Sequence, residues 1–118
     1  MNILIADDSE ILRQRLVTML SEITKIEYIW QAEDISQTIK LASSLTPDLI
    51  ILDIHFPDGS GLEVLKNIKL NYPKIKVIML TNFSFPQYRS ECKKIGADYF
   101  LDKASEFNQV TDIINSIK

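Results

Sequence analysis

Residues 48–61 read DLIILDIHFPDGSG, an apolar run that ends in an aspartate and leads into a turn-forming segment. Two other stretches follow the first half of this pattern, NILIAD at residues 2–7 and KVIMLT at residues 76–81. Strands that are buried on both faces of a sheet read as nearly continuous apolar runs of this kind. We therefore predict three central parallel strands, each ending in an aspartate or a threonine.

The rest of the chain alternates between edge-strand and helix patterns. Residues 26–33 and 99–102 mix polar and apolar side chains, as strands at the edges of a sheet do. Between the strands, five sets of apolar residues follow the helical spacing of three or four. The sequence thus predicts an α/β fold of the (βα)5 type. Because crossovers are right-handed and helices must cover both faces, we expect a doubly wound, flavodoxin-like parallel sheet with strand order 2-1-3-4-5.

Polar residues that can cap helices precede three of the helical patterns. Ser9, Asp34 and Ser105 carry side-chain oxygens that can accept a hydrogen bond from a free backbone N–H group of the first turn. The last helical pattern starts at Phe107, two residues after Ser105. We therefore predict that these three residues lie at or near helix starts.

Length, charge and cysteine content favour a single cytoplasmic domain. The chain of 118 residues fits one domain, residues 1–118, with 46% hydrophobic and 25% charged residues, which is typical of globular proteins. The single cysteine, Cys92, cannot form an internal disulfide, which fits a reducing compartment. No apolar run approaches the roughly 20 residues of a membrane span. A net charge of −3 without a basic stripe argues against nucleic acid, so we expect neither membrane nor nucleic acid as a direct partner.

Five polar residues stand where predicted strands end: Asp7, Asp8, Asp53, Thr81 and Lys103. The carboxyl ends of parallel strands form the edge where open α/β sheets place ligands and chemistry. Like charges about 4 Å apart repel by roughly 4 kcal/mol at an effective dielectric of about 20, so three clustered carboxylates need a counter-charge. Mg²⁺ prefers oxygen ligands and keeps water positions that phosphate oxygens can take. The sequence therefore predicts a Mg²⁺ site at this edge.

The arrangement resembles the receiver domain of two-component response regulators along essentially the whole chain. The joint pattern is highly specific for that family, and the resemblance implies a signalling switch controlled by phosphorylation. The matching segments are Asp7-Asp8 after the first strand, Asp53 and residues 57–61 after the third, Thr81 ending the fourth, and residues 96–103 through the fifth.

The resemblance implies a role for each acidic residue. Asp53 would be the phosphoacceptor, a carboxylate that serves as a nucleophile toward phosphorus. Asp8, Asp53 and the backbone carbonyl of His55 would bind Mg²⁺ directly, whereas Asp7 would act through a water molecule. Phosphoryl transfer is catalysed mainly by positioning and by neutralising charge, which this set of groups can supply.

The resemblance also implies a switch. Thr81 would donate a hydrogen bond to the phosphoryl group, and Lys103 would form an ion pair with it. A hydroxyl group can be drawn toward phosphoryl oxygens that were absent before phosphorylation. Phe100, three residues before Lys103, matches the aromatic residue of the family that turns inward when the threonine moves.

Partners follow from the same resemblance. The phosphoryl donor would be a histidine kinase or a histidine phosphotransfer protein, and the downstream target would bind the surface of the fourth helix, fifth strand and fifth helix. Such a domain catalyses only its own phosphorylation and dephosphorylation. The sequence ends at Lys118, where a fifth helix would finish, so a stand-alone receiver is expected, with a piece of a longer regulator as the alternative.

Three residues near the predicted site modify this picture. Ala104 follows Lys103 where most receivers have a proline with a cis bond, and a cis bond before a residue other than proline costs about 3 kcal/mol. His55 is interpreted as a partly exposed rim residue, with a role as acid or base as the alternative. Phe83 stands two residues after Thr81, where an apolar ring would shield the phosphoryl group from water.

Two other functions share part of this residue set. A Mg²⁺-dependent phosphohydrolase of the haloacid dehalogenase type also uses an aspartate, a threonine or serine, and a lysine. That class has a second aspartate two residues after the nucleophile, where this chain has His55. A degenerate receiver that acts only as a binding module is the other alternative, although no residue of the phosphorylation set is missing.

Overall fold

A central parallel sheet of five strands organises the chain in the computed structural model, which describes residues 1–117. Lys118, the last residue of the expected domain, lies outside the described residues. We number only the strands of this sheet, which occur in the spatial order β2-β1-β3-β4-β5 and confirm the predicted topology. The strands are β1 (Asn2–Ala6), β2 (Tyr28–Ala32), β3 (Leu49–Leu52), β4 (Lys76–Thr81) and β5 (Tyr99–Asp102).

Five helices cover the two faces of the sheet, as the doubly wound prediction requires. One core contains residues of α1 and α5, and the other contains residues of α2, α3 and α4. Alternate residues of β1 face these two cores, since Ile3 and Ile5 belong to the first and Leu4 and Ala6 to the second. The helices are α1 (Glu10–Leu20), α2 (Ile35–Leu45), α3 (Gly61–Asn71), α4 (Pro86–Ile95) and α5 (Gln109–Ser116).

Two of the three predicted caps are confirmed. Ser9 accepts a hydrogen bond from the backbone N–H of Leu12, and Asp34 accepts one from that of Gln37. The prediction for Ser105 is wrong, because α5 starts only at Gln109. A turn precedes that helix, in which Asp102 accepts hydrogen bonds from the backbone N–H groups of Ala104 and Glu106.

Residues 1–117 contain neither a helix that could cross a membrane nor a cis peptide bond. In that part of the chain every helix falls short of the length and apolar character that a membrane crossing requires. It also contains no cis peptide bond, so the bond between Lys103 and Ala104 is trans.

Candidate metal centre

Three carboxylates meet at the carboxyl edge of the sheet. β1 pairs with β3 so that Ala6 lies beside Leu52, and the residues that follow are Asp7 and Asp53. Asp7, Asp8 and Asp53 each offer an oxygen, and these oxygens all lie within 4.8 Å of one another. Asp7 and Asp53 are buried whereas Asp8 is exposed, so the cluster opens to solvent on the side of Asp8.

Lys103 bridges the two buried carboxylates. Its Nζ lies 2.6 Å from Oδ2 of Asp7 and 2.8 Å from Oδ2 of Asp53. Burial disfavours the charged form of this lysine, but the hydrogen bonds to Asp53 and Asp7 outweigh burial and raise the pKa of Lys103 above its usual value. The ammonium group therefore stays protonated and supplies one of the counter-charges that the carboxylates need.

Burial dominates the electrostatics of Asp7. It raises the pKa of the Asp7 carboxyl group, while hydrogen bonds from Lys103 and from the backbone N–H of Ser9 act in the opposite direction. One ammonium group therefore does not fully offset the desolvation of this carboxylate. A small cation with a preference for oxygen ligands would complete the neutralisation, and the donor set of three carboxylates fits Mg²⁺.

The segment between β3 and α3 packs closely against the backbone of Asp53. Gly61 lies so close to Asp53 that a Cβ atom at position 61 would come within 1.9 Å of the Asp53 carbonyl oxygen, so only glycine fits there. A hairpin in this segment pairs residues 55–56 with residues 59–60. Asp58, at its tip, accepts hydrogen bonds from the backbone N–H groups of Ile35 and Ser36 and so ties the hairpin to the start of α2.

Thr81 and Lys103 are placed at the same edge by the pairing of β4 with β5. The backbone N–H of Lys103 donates to the carbonyl oxygen of Thr81 at 3.0 Å. Thr81 is fully buried, and its hydroxyl oxygen accepts a hydrogen bond from the backbone N–H of Phe83 at 3.1 Å. The Thr81 hydroxyl thus holds the first residues of the loop between β4 and α4, which any movement of this hydroxyl would disturb.

The predicted modulating residues contact each other at the rim. The rings of His55 and Phe83 lie 3.8 Å apart between centroids, with a tilt of 33°. Tyr88 on α4 approaches His55 edge-on at 6.4 Å, and Phe85 lies 6.3 Å from Tyr88. His55 is exposed, and Phe83 is partly buried. The roles of His55 and Phe83 in hydrolysis stay predictions, but their rings are in direct contact, so a substitution of one side chain changes the surroundings of the other.

Phe100 is held by a residue that the sequence analysis did not single out. The guanidinium group of Arg89 on α4 lies 4.7 Å from the centre of the Phe100 ring and donates to the Phe100 carbonyl oxygen at 3.1 Å. The same group approaches Glu106 at 3.4 Å. Glu106 in turn accepts a hydrogen bond from the backbone N–H of Asp102. Arg89 therefore connects α4 with β5 and with the turn before α5.

A second connection missed from the sequence lies closer to the site. The hydroxyl group of Ser84 donates to the carboxylate of Asp102 at 2.7 Å, which ties the loop after β4 to the end of β5. No periodic pattern marks such a contact, because it joins a loop residue to the last residue of a strand, and the two are 18 residues apart in the sequence. The adjacent positions of Asp102 and Lys103 nevertheless place this contact directly beside the site.

Comparisons with known proteins agree with this geometry. The family model described as the response regulator receiver domain matches residues 3–115. The response regulator protein VraR of Staphylococcus aureus is 30% identical over 112 residues, which are 95% of this chain and 54% of VraR. The chain spans about half the length of the curated relatives it matches. The expectation of a stand-alone receiver is therefore untested.

Solved structures with the same fold include proteins with a bound metal ion. The response regulator TrrA of Thermotoga maritima, in complex with Mg²⁺ and BeF, has a TM-score of 0.84 and 34% identity, covering 97% of this chain and 96% of that one. A response regulator from Burkholderia pseudomallei with a phosphorylated aspartic acid and a calcium ion has a TM-score of 0.84 and 25% identity, covering 99% and 66%.

One neighbour corrects the prediction about nucleic acids. A DNA-binding response regulator of the LuxR family from Staphylococcus aureus has a TM-score of 0.88 and 30% identity, covering 97% of this chain and 95% of that one. The expectation that nucleic acid is not a partner is therefore too broad for proteins that contain this fold. It rested on the net charge of these 118 residues alone, and charge says nothing about what a longer protein binds.

Proposed function

Because the chain belongs to the response regulator receiver domain family, we propose that residues 1–118 form one receiver domain that accepts a phosphoryl group on Asp53 and thereby switches a partner-binding surface. One observation carries the proposal: Lys103 bridges Asp53 and Asp7 within a cluster of three carboxylates at the carboxyl edge of the sheet. Family membership does not favour a phosphohydrolase, and the complete residue set does not favour a degenerate receiver.

The transfer itself uses a carboxylate oxygen of Asp53 as the nucleophile. This oxygen attacks the phosphorus of a phosphohistidine, a P–O bond forms, the P–N bond breaks, and the electron pair leaves with the imidazole nitrogen. Lys103, already 2.8 Å from Asp53, neutralises negative charge on the transferred group. Mg²⁺, when bound by Asp8, Asp53 and the carbonyl oxygen of His55, with Asp7 acting through water, would supply the remaining positive charge.

Phosphorylation changes what Lys103 and Thr81 can bind. Once Asp53 carries the phosphoryl group, Lys103 gains phosphoryl oxygens as acceptors in place of the free carboxylate. The hydroxyl group of Thr81 gains an acceptor too, and its movement would release the hydrogen bond from the N–H of Phe83. The loop between β4 and α4 then rearranges.

The proposed output is a changed surface on α4, β5 and α5. Phe100 would turn inward as the loop after Thr81 moves, and this rotation would break the contact of its ring with Arg89. A histidine kinase or a phosphotransfer protein is the proposed donor, and a protein that recognises the rearranged surface is the proposed target. The domain would catalyse no reaction beyond its own phosphorylation and dephosphorylation.

Phosphorylation by a small donor tests the proposal. Incubation with acetyl phosphate and Mg²⁺ should add one phosphoryl group, measured as intact mass, and the adduct should be acid-stable and base-labile. Asp53→Asn should abolish the addition, whereas Asp112→Asn, on the distant helix α5, should leave it unchanged. Full uptake by Asp53→Asn contradicts the assignment of the acceptor. Steady release of phosphate from small phosphomonoesters would identify a hydrolase instead.

A further inference from the structure

Arg13 is a buried cation that contacts only neutral groups. It lies on α1 and is 8% exposed. Its guanidinium group donates to the backbone carbonyl oxygen of Asp7 at 2.6 Å and to the side-chain oxygen of Gln31, on β2, at 3.0 Å. Within residues 1–117 it forms no ion pair with a carboxylate. Neither the predicted chemistry nor the proposed switch uses this residue.

A buried guanidinium group without an ion pair needs a reason. Removing a charge from water is costly unless it is paired or fully hydrogen-bonded. The neighbouring cluster of three carboxylates carries more negative charge than Lys103 neutralises, so its field favours a second cation nearby. A planar guanidinium group can in addition bind two acceptors in fixed directions, which an ammonium group cannot do.

The contacts of Arg13 complete the fixation of Asp7. The backbone N–H of Asp7 donates to the carbonyl oxygen of Ala32 at 3.1 Å. Its side-chain Oδ1 accepts from the N–H of Ser9 at 2.8 Å. Its Oδ2 lies 2.6 Å from Nζ of Lys103, so the Arg13 contact fixes the last polar group of Asp7, its carbonyl oxygen, which belongs to the peptide unit that leads directly into Asp8. The orientation of that peptide decides where the Asp8 carboxylate points.

We propose that Arg13 is a positioning residue that orients the Asp7–Asp8 peptide, and so the carboxylate of Asp8, for Mg²⁺ binding. The inference rests on the proposed function, since it assigns the metal to this cluster. Two effects of Arg13 on the metal have opposite signs. Its positive charge repels Mg²⁺, whereas its hydrogen bond holds the ligands in place. The proposal states that the second effect is larger.

Variants of Arg13 separate the two effects. Arg13→Met removes both the charge and the hydrogen bonds, and Arg13→Lys keeps the charge but not the planar fork. Loss of a residue that orients metal ligands lowers metal affinity by about 10- to 100-fold in known sites, and we expect about tenfold for both variants. Arg15→Met is the matched control, because Arg15 is an exposed arginine on the same helix that stacks on Phe107.

The readouts are the Mg²⁺ dissociation constant from calorimetric titration and the Mg²⁺ dependence of phosphorylation by acetyl phosphate. The half-saturating Mg²⁺ concentration should rise in both Arg13 variants, while the rate at saturating Mg²⁺ stays near that of the wild type. Tighter or unchanged binding in a folded Arg13→Met overturns the inference, as does wild-type binding in Arg13→Lys.

A further variant covers the case in which Arg13→Met does not fold. Gln31→Ala removes one acceptor of the fork from an exposed edge position, and it should weaken Mg²⁺ binding about threefold if the fork orients the peptide. Unchanged binding in this variant and in Arg13→Lys overturns the inference. If the wild type itself neither binds Mg²⁺ nor takes up phosphate, the proposed function fails instead.

Discussion

Asp8→Asn should stabilise the protein in the absence of divalent metal. Asp7 and Asp53 carry two negative charges and Lys103, which bridges them, carries one positive charge, so these three groups present Asp8 with a net charge of −1 at a distance of up to 4.8 Å. Arg13, whose guanidinium group binds the Asp7 carbonyl oxygen, offsets part of this repulsion. At 4.8 Å, two unit charges repel by about 3.5 kcal/mol at an effective dielectric of about 20 and by about 0.9 kcal/mol in water.

Solvent screening places the expected gain near the lower figure. Because Asp8 is exposed, we expect the free energy of unfolding of Asp8→Asn to rise by about 1 kcal/mol. For a domain of this size that corresponds to an increase in melting temperature of about 3–5 °C. Asparagine keeps the shape of the side chain, so the change in charge is the main difference between the two proteins.

Added Mg²⁺ should reverse the order of the two melting temperatures. A ligand that binds only the folded state stabilises it by about 2.7 kcal/mol at 100 times its dissociation constant. The wild type should gain this stabilisation, and Asp8→Asn, which lacks a proposed ligand, should gain little. The assay is thermal unfolding in EDTA and in a series of Mg²⁺ concentrations, and the melting curves of the two proteins should cross.

Glu91→Gln is the matched control for the loss of one negative charge. Glu91 is exposed on α4, and among residues 1–117 it takes part in no ion pair. Its replacement should change stability by less than about 0.5 kcal/mol in either condition. The reasoning is refuted if Asp8→Asn melts at or below the wild type in EDTA, or if Mg²⁺ stabilises both proteins equally.

Three further predictions concern the lysine, the rim and the switch surface. Hydrogen bonds to carboxylates raise the pKa of Lys103 despite burial. The stability that the charged lysine contributes is therefore complete below pH 10.5 and is lost as the pH rises through the raised pKa. Denaturant unfolding from pH 9 to 12 should show this loss in the wild type and not in Lys103→Met. Phe83→Glu should shorten the half-life of the phosphorylated form after donor removal, because a polar side chain can orient water where the ring shields it; an equal or longer half-life would identify Phe83 as a packing residue. Arg89→Ala should lower stability by about 1 kcal/mol, by loss of a cation–π contact and a surface ion pair, and should speed amide exchange in α4 and β5; slower exchange in β5 would show that Arg89 does not hold Phe100.

The fold could be predicted because the strands are unusually clear in this sequence. β3 is an uninterrupted apolar run, and its following aspartate marks the carboxyl edge of the sheet. Residues 76–81 and 99–102 were predicted with the observed bounds of β4 and β5, whereas the predicted strand at residues 26–33 is three residues longer than the observed Tyr28–Ala32. The polar residues that follow the last paired residues of the strands leave the hydrogen-bonded sheet and form the site. The short hairpin after β3 was missed, since strands of two residues are too short to show an alternation of polar and apolar side chains.

The site could be predicted only as far as strand ends determine it. The strand ends place Asp7, Asp53 and Lys103 at one edge of the sheet, so their convergence followed from the order of the strands and the length of the lysine side chain. Arg13 and Arg89 depend instead on which side chain reaches across to a neighbouring element. A signal did exist for Arg13, because positions 13, 16 and 20 share one face of a helix and the other two are buried leucines. A charged residue on a buried helix face indicates a specific hydrogen-bond partner in the fold.

Strand β5 links the site to the switch surface because of its place in the sheet. It is an edge strand that is paired only with β4, so it can shift by breaking one ladder of hydrogen bonds instead of two. Lys103 follows its last residue, and Phe100 lies in its middle with Arg89 against its ring. Under the proposed function, a pull on Lys103 by a new phosphoryl group would act along this strand of four residues, which begins shortly after α4. Central strands such as β1 and β3 are paired on both sides, so they suit the proposed role of holding Asp53 in place better than that of moving.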